Sequence, residues 1–243
     1  MSLLSGTDKA RFVRGMFDAI ASRYDVMNRL MTAGRDEAWR AATAGAVRPP
    51  DVRVALDLGA GTGDLSLALA RVAPQATVVA LDFSANMLQL GVAKARRKGL
   101  SGRVPPVLGD AMALPVARHA VDAIVTGFTL RNVADVPCVF RECYHALRPG
   151  GRLAVLELTP VRTPVFRDLF RLYFHGLVPL LGAIVSGRGE AYRYLPASVL
   201  RFPDASTLQQ MLFQAGFARV TYRTLALGTV ALHLATVPRA SVR

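Results

Sequence analysis

The chain has 243 residues, 52% of them hydrophobic and 19% charged, which allows a large buried core and excludes disorder over its whole length. The formal net charge is +13, and arginine supplies almost all of the basic count, since Lys9, Lys94 and Lys98 are the lysines. Those arginines are dispersed, without a basic block or aromatic-flanked motif, so nucleic acid is not expected as a partner, while contact with an anionic membrane surface stays open.

The opening residues, MSLLSGTDKARFVRG, lack the apolar stretch and small-residue cleavage site of a secretory signal. From Thr7 to about Val47, apolar residues such as Phe12, Met16, Phe17 and Ile20 recur at spacings of three and four, which predicts helix. Pro49-Pro50 breaks that pattern, and short β-rich runs then alternate with helical ones. Strands are predicted at 52–58, 77–81, 104–108, 121–126 and 153–158. The helices between them include one ending at Leu69 and one capped by Ser84 and running to about Gly99. A third is capped by Asp135, carries Pro137 in its first turn and is ended by Arg148-Pro149-Gly150-Gly151. Such alternation predicts an α/β fold, a mostly parallel sheet with helices on both faces.

After Thr159 the alternation stops. Residues 163–187 read as a helical insertion, and Asp204 to Ala215 as a helix ending at Gly216. Val220 to Leu225 and Val230 to Thr236, joined around Gly228, predict a closing antiparallel hairpin, and a loose tail follows over 238–243. The richest apolar stretch, Leu169 to Val185, is interrupted by Arg171, His175, Gly176, Pro179 and Gly182. A spanning helix needs about 20 mostly apolar residues, so the chain reads as soluble and cytoplasmic. Cys138 and Cys143 sit on different faces of their predicted helix, and His119, His145, His175 and His233 are scattered. Neither set has the spacing of metal ligands. No metal is expected, and the cysteines are assigned to packing.

The chemistry is concentrated where the first strand meets its helix. In Ala55-Leu-Asp-Leu-Gly-Ala-Gly-Thr-Gly-Asp64, glycines at 59, 61 and 63 let the backbone turn sharply and approach a ligand. A dinucleotide fingerprint would need a further glycine where Asp64 stands, which disfavours a pyrophosphate. Asp82 ends the second strand, placed to accept two ribose hydroxyls, and Asp110 follows the third, placed to meet an adenine amino group. Each alone reads equally as a turn or cap residue. Together they suit S-adenosylmethionine, which has ribose, adenine and a methionine end but no phosphate. They resemble the class I methyltransferase fold over about residues 50–236. That fold implies a Rossmann-like seven-stranded sheet with an antiparallel last strand.

Beyond these motifs the chain resembles the ubiquinone/menaquinone biosynthesis C-methyltransferase family over nearly its whole length. The resemblance rests on FDAIASRYDVMNRLMTAGRDEAW (17–39), LRNVAD (130–135), LRPGGRLAVLEL (147–158), YRYLPASVLRFPDASTLQQMLFQAGF (192–217) and VALH (230–233). LRPGG is widespread among methyltransferases; YD-x-MN, LRNV and YRYLP are far more particular. The resemblance implies a helical lid over 1–48, a cofactor-binding domain over 49–237 and an insertion after the fifth strand. It implies S-adenosylmethionine held by Gly59, Gly61, Thr62, Asp82, Asp110 and the backbone of Ala111. The acceptor it implies is the ring of a polyprenylated quinol, either naphthoquinol or benzoquinol. Another small hydrophobic acceptor, or a non-catalytic assembly role, are the alternatives.

In that reading Arg131 stabilises the oxyanion of a deprotonated ring oxygen and Asn132 orients it; the competing reading pairs Arg131 with a surface carboxylate and lets Asn132 cap a turn. Tyr24, Asp25 and Asn28 belong either to a cofactor lid or to a network docking it. Apolar residues of the insertion, Phe170 and Phe174 among them, would follow the prenyl tail or meet a membrane, with core packing or a homodimer contact as alternatives. The chain departs from the family's usual pattern at Asp36 (His), Gly127 (Ser), Thr129 (Gly) and Leu158-Thr159, where Ser or Thr follows an aromatic.

Overall fold

The computed structural model describes residues 6–47, 52–160 and 189–239. The break at Pro49-Pro50 and the insertion at 163–187 lie outside the described residues. The helical N-terminal segment forms α1 (Gly6–Ile20), a 3-10 turn (Ala21–Arg23), α2 (Tyr24–Met31) and α3 (Arg35–Ala46). The alternating part gives β1 (Val54–Leu58), α4 (Asp64–Val72), β2 (Thr77–Asp82), α5 (Ala85–Arg97), β3 (Pro106–Leu108) and β4 (Val121–Gly127). A 3-10 turn (Leu130–Asn132), α6 (Val136–Ala146) and β5 (Leu147–Leu158) follow. The chain then builds α7 (Gly189–Arg201), α8 (Ala205–Gln214), β6 (Ala218–Leu225) and β7 (Val230–Thr236).

The seven strands form one sheet in the order β3-β2-β1-β4-β5-β7-β6. The first five run parallel, and β7 lies antiparallel to both β5 and β6. Successive residues of the central strands go to opposite faces. Ala55, Ala123 and Ala154 pack with Ala44 of α3 and Leu65 and Leu69 of α4. Leu56, Ile124 and Val155 pack with Phe140 of α6 and Leu208 of α8. Burial on both faces explains why these strands read as nearly continuous apolar runs.

The caps follow the predicted chemistry. Ser84 Oγ accepts from Met87 N at 3.1 Å and Asp135 Oδ1 from Cys138 N at 2.9 Å. Cys143 is buried in the core, and burial pushes its thiol pKa up.

Two elements differ from expectation. Arg148-Pro149-Gly150-Gly151 does not end α6, which stops at Ala146; it bulges within β5, where Leu147 faces Val121 and the register resumes with Arg152 facing Ala123. Gly150 N and Gly151 O bond Val237 across this bulge, at 2.9 Å each. The second is α7, a stretch to which the periodicity assigns no element. It contains Pro196, which lacks an amide donor and disfavours a helix interior. Its packing on α1 and on the Leu130–Asn132 turn, including an edge-to-face contact of Tyr194 with Phe12 at 5.8 Å, overrides that local preference.

Strand order reverses between β1 and β4, and in open α/β sheets the crevice beyond such strand ends is where ligands bind. The end of β1 holds Asp57, only 1% exposed, which accepts from Ser66 Oγ at 2.5 Å. Burial pushes its pKa up to about 7, against the Ser66 hydrogen bonds and with the charge of Asp82 adding to the rise. The unfolded carboxyl titrates near about 3.9, so the folded state holds this proton more tightly. Its contribution to stability is full below about pH 4 and is lost as the pH rises toward about 7, at roughly 1.4 kcal/mol per unit. Asp57→Asn should therefore flatten the pH dependence of unfolding free energy between about pH 5 and 7. Urea titrations at several pH values check this, and parallel slopes in the two proteins would count against a proton held at Asp57.

Candidate active site

The four loops beyond β1, β2, β3 and β4 and the N-terminal helices enclose a cleft of about 830 Å³, its open mouth included. The loop after β1 turns at Gly59, where φ is +71° and a Cβ would stand 2.3 Å from the Thr129 side chain. Both conformation and space thus demand glycine there. Gly61 donates its N–H to Asp82 Oδ2 at 2.8 Å, while Asp82 Oδ1 accepts from Ser84 N at 2.9 Å. Burial raises the Asp82 pKa against these backbone donors. Asp110 turns the chain after β3 by accepting from Met112 N at 2.8 Å.

Gly59, Gly61, Asp82, Asp110, Ala111 and Asn132 all line this cleft, between the apolar side chains of Leu81, Phe83, Met87 and Met112. Among the described residues no arginine or lysine lines it. Acceptor carboxylates without a basic partner suit hydroxyls, amines and a cation, and repel a phosphate.

Thr62 is placed differently from the other expected contacts. It is 3% exposed, and its hydroxyl donates to Asp25 Oδ1 of α2 at 2.6 Å instead of lining the cleft. The same carboxylate meets Lys94 Nζ at 2.7 Å. Asp18 accepts from Ser84 Oγ at 2.5 Å, and Lys9 Nζ donates to Val133 O at 2.6 Å. The N-terminal helices are thereby fastened over the β1, β2 and β4 loops, and Ala10, Val13, Phe17 and Tyr24 close the cleft. Asp25 docks this cover, whereas Tyr24 and Asn28 line cavities.

Arg131 and Asn132 sit on the 3-10 turn after β4. Phe128 precedes it in the left-handed region at φ +59°, and its carbonyl accepts from Arg131 Nη1 at 2.5 Å and Asn132 Nδ2 at 3.2 Å. The partner of Arg131 is buried and not on the surface: Nη1 lies 2.8 Å from Glu157 Oε1, with the side chains 8% and 1% exposed. The sequence reasoning did not single out Glu157. An acid inside the apolar run of β5 was the available signal, since such residues are rarely fully buried without a partner.

Arg131 lines two further cavities beside the cleft. One is bounded by Met16, Phe17, Tyr24, Asn28, Arg131, Asn132 and Tyr194 among others, the second by Tyr24, Trp39, Phe128, Arg131, Leu158 and Val230 among others. Tyr24 is common to all three spaces. Among the described residues no group of His, Cys, Asp and Glu could hold a metal ion.

The model of the ubiE/COQ5 methyltransferase family matches residues 5–237. A demethylmenaquinone methyltransferase of Roseiflexus castenholzii is 43% identical over 225 residues, covering 93% of each chain. A ubiquinone/menaquinone biosynthesis C-methyltransferase UbiE of Dinoroseobacter shibae is 39% identical, covering 93% of this chain and 90% of that one. Among solved structures, the cyclase SpnF aligns with a TM-score of 0.73 at 18% identity, over 98% of both chains. A SAM dependent methyltransferase from Aquifex aeolicus aligns with a TM-score of 0.55 at 19% identity, over 76% of this chain and 82% of that one. At such identities the structures speak to fold alone, and the cyclase illustrates how one fold carries different chemistry.

Proposed function

The chain belongs to the ubiE/COQ5 methyltransferase family, and we propose that it transfers the methyl group of S-adenosylmethionine to a ring carbon of a polyprenylated quinol. Demethylmenaquinol is the acceptor and menaquinol the product. The observation carrying this reading is the cleft at the strand-order reversal, walled by carboxylates with no basic residue among the described ones and meeting, at Tyr24, a pocket that holds Arg131 and Asn132. The naphthoquinol is favoured over the benzoquinol by the relatives: 43% identity to a protein named for the demethylmenaquinone step, against 39% to one named for both quinones.

The residues fit the cofactor. Asp82 keeps lone pairs beyond those its backbone donors use, enough to accept from ribose hydroxyls. Asp110 and the Ala111 backbone would hold the adenine edge, Leu81, Phe83 and Met112 would offer it apolar contact, and Gly59 and Gly61 would admit the methionine end. Thr62 acts one step away, by holding Asp25 and with it the lid. When bound, S-adenosylmethionine supplies a methyl group already activated on a sulfonium. The protein's task is alignment and exclusion of water. The acceptor hydroxyl must give up its proton so that electron density builds on the neighbouring ring carbon. Arg131, oriented by Glu157, stabilises the resulting oxyanion, and Asn132 orients the oxygen.

A polyprenyl acceptor resides in the bilayer, and no helix among the described residues is long and apolar enough to cross one. In our reading the enzyme works from the cytoplasmic side as a peripheral protein. On the outer face of α2, Val26 and Leu30 are 55% and 49% exposed beside Arg23 and Arg29, a pattern suited to an anionic interface.

Transfer of labelled methyl from S-adenosylmethionine to prenylated naphthoquinol tests the proposal directly, and transfer to the benzoquinol alone would reassign the acceptor. Asp82→Ala should remove cofactor binding at practical concentrations, because each hydrogen bond to a charged group contributes about 1.5–3 kcal/mol. Calorimetric titration with unchanged affinity would exclude Asp82 from the site.

Arg131→Ala strands the buried Glu157 carboxylate, which costs about 3–5 kcal/mol of stability, so the informative variant is Arg131→Lys. It keeps the charge but loses the planar fork. Single-turnover rates should fall roughly 100-fold with cofactor affinity preserved; wild-type turnover would assign Arg131 to structure only. For the membrane contact, co-sedimentation with vesicles containing anionic lipid should weaken with salt, over a screening length of about 8–10 Å. It should drop further in the Val26→Ser/Leu30→Ser double variant, and salt-independent binding would remove the electrostatic part of this reading.

A further inference from the structure

Three buried polar atoms around the small cavity between α1, α2 and α7 have no hydrogen-bond partner among the described residues: Arg131 Nε, Asn132 Oδ1 and Tyr194 Oη. All three residues line that cavity. Buried polar groups are normally paired, and an unpaired one forfeits its water without compensation. Three such atoms around one space mark a site suited to a polar guest. Their chemistry is complementary. Arg131 Nε–H can only donate. The Asn132 amide is oriented by its Nδ2 donation to Phe128 O at 3.2 Å, which leaves Oδ1 as an acceptor. Tyr194 Oη does both. The set calls for a guest carrying both an acceptor oxygen and an O–H.

The position agrees with this chemistry. The cavity shares Phe17, Tyr24 and Asn132 with the cofactor cleft, and Tyr24, Asn28, Met31 and Arg131 with the cavity beside Trp39. It therefore lies next to the space where a methyl donor fits, with a second space available for substituents.

We propose that Tyr194 is a ring-binding residue of the acceptor pocket: with Arg131 and Asn132 it hydrogen-bonds the oxygens of the quinol ring and fixes which ring carbon meets the methyl group. This rests on the quinol reading above and adds to it a residue from α7. Burial raises the Tyr194 pKa, with Arg131 opposing and Glu157 adding to the rise, so the phenol keeps its proton and can donate at neutral pH. The contact with Phe12 of α1 couples the ring to the lid. Tyr194 thus places part of the acceptor site on a different chain segment from Arg131 and Asn132.

Tyr194→Phe tests the assignment, because it removes only the unpaired hydroxyl. The melting temperature of the free enzyme should stay level or rise, since no native hydrogen bond is lost. Affinity for S-adenosylhomocysteine should be unchanged. Binding of 1,4-naphthalenediol, kept reduced, to the S-adenosylhomocysteine-loaded enzyme should weaken about tenfold, with KM for the prenylated quinol raised in parallel. A lower melting temperature would show that the hydroxyl serves the fold, and wild-type diol binding and turnover would show that it does not touch the ring; either overturns the assignment. If the wild-type enzyme binds S-adenosylhomocysteine but neither binds the diol nor methylates any quinol, the acceptor reading itself falls, and Tyr194 with it.

Discussion

The candidate site is organised around the carboxylate of Glu157, a charge at the end of β5 with almost no exposure to water. A lone buried carboxylate would be prohibitive, so the fold must bring a cation to it. Arg131 is that cation, and its backbone N–H also approaches Glu157 Oε2 at 3.4 Å while Leu158 N donates to Oε1 at 2.8 Å. One carboxylate therefore holds both the end of β5 and the turn after β4. That double hold supports the left-handed conformation of Phe128, a strain of about 1–3 kcal/mol that persists only where surrounding contacts over-determine it. The Phe128 carbonyl can then accept from Arg131 and Asn132 together, and both residues stand at the junction between the cleft and its neighbouring cavities.

Charge is partitioned around the cleft. The chain carries a net +13, yet the polar side chains walling the cleft include two carboxylates and, among the described residues, no basic group. The basic residues nearby are used outside it: Lys94 meets Asp25 and Asp64, and Lys9 meets a backbone carbonyl. With the Thr62–Asp25 and Ser84–Asp18 hydrogen bonds, they tie the N-terminal helices to the loops of three strands. Individually such pairs are modest, so the hold on the lid depends on their number and on the apolar faces of Val13 and Phe17 beneath it.

The departures from the family's usual residues are accommodated by neighbours. Asp36, where histidine is usual, is 3% exposed but ion-paired with Arg40 and hydrogen-bonded by Thr32 Oγ1 at 3.0 Å. Thr129, where glycine is usual, places its hydroxyl near the carbonyls of Gly59 and Gly127, at 3.3 and 3.2 Å, and occupies the space a Cβ on Gly59 would need. At Gly127, where serine is usual, a Cβ would stand 3.3 Å from Leu65 Cδ2. The packing explains why Gly59 tolerates no side chain in this chain, and it leaves the carboxylates of the cleft untouched.

The sequence alone determined the order of the strands and of the helices between the parallel ones, the caps at Ser84 and Asp135, and the cluster of glycines and aspartates at three strand ends, because each depends on residues close in the chain. Local spacing also placed Gly59, Gly61, Asp82, Asp110 and Ala111 at one cleft. Tertiary structure decided the rest. Thr62 turned to the N-terminal helices because Asp25, distant in sequence, presents it an acceptor. Arg131 found a buried partner only because β4 and β5 lie side by side. The helix carrying Tyr194 was hidden by Pro196, a residue whose local preference opposes helix and is overruled by packing on α1. Long-range pairing has no signature in local periodicity, and three unpaired atoms from two distant segments become a pocket only when the folded chain sets them around one cavity.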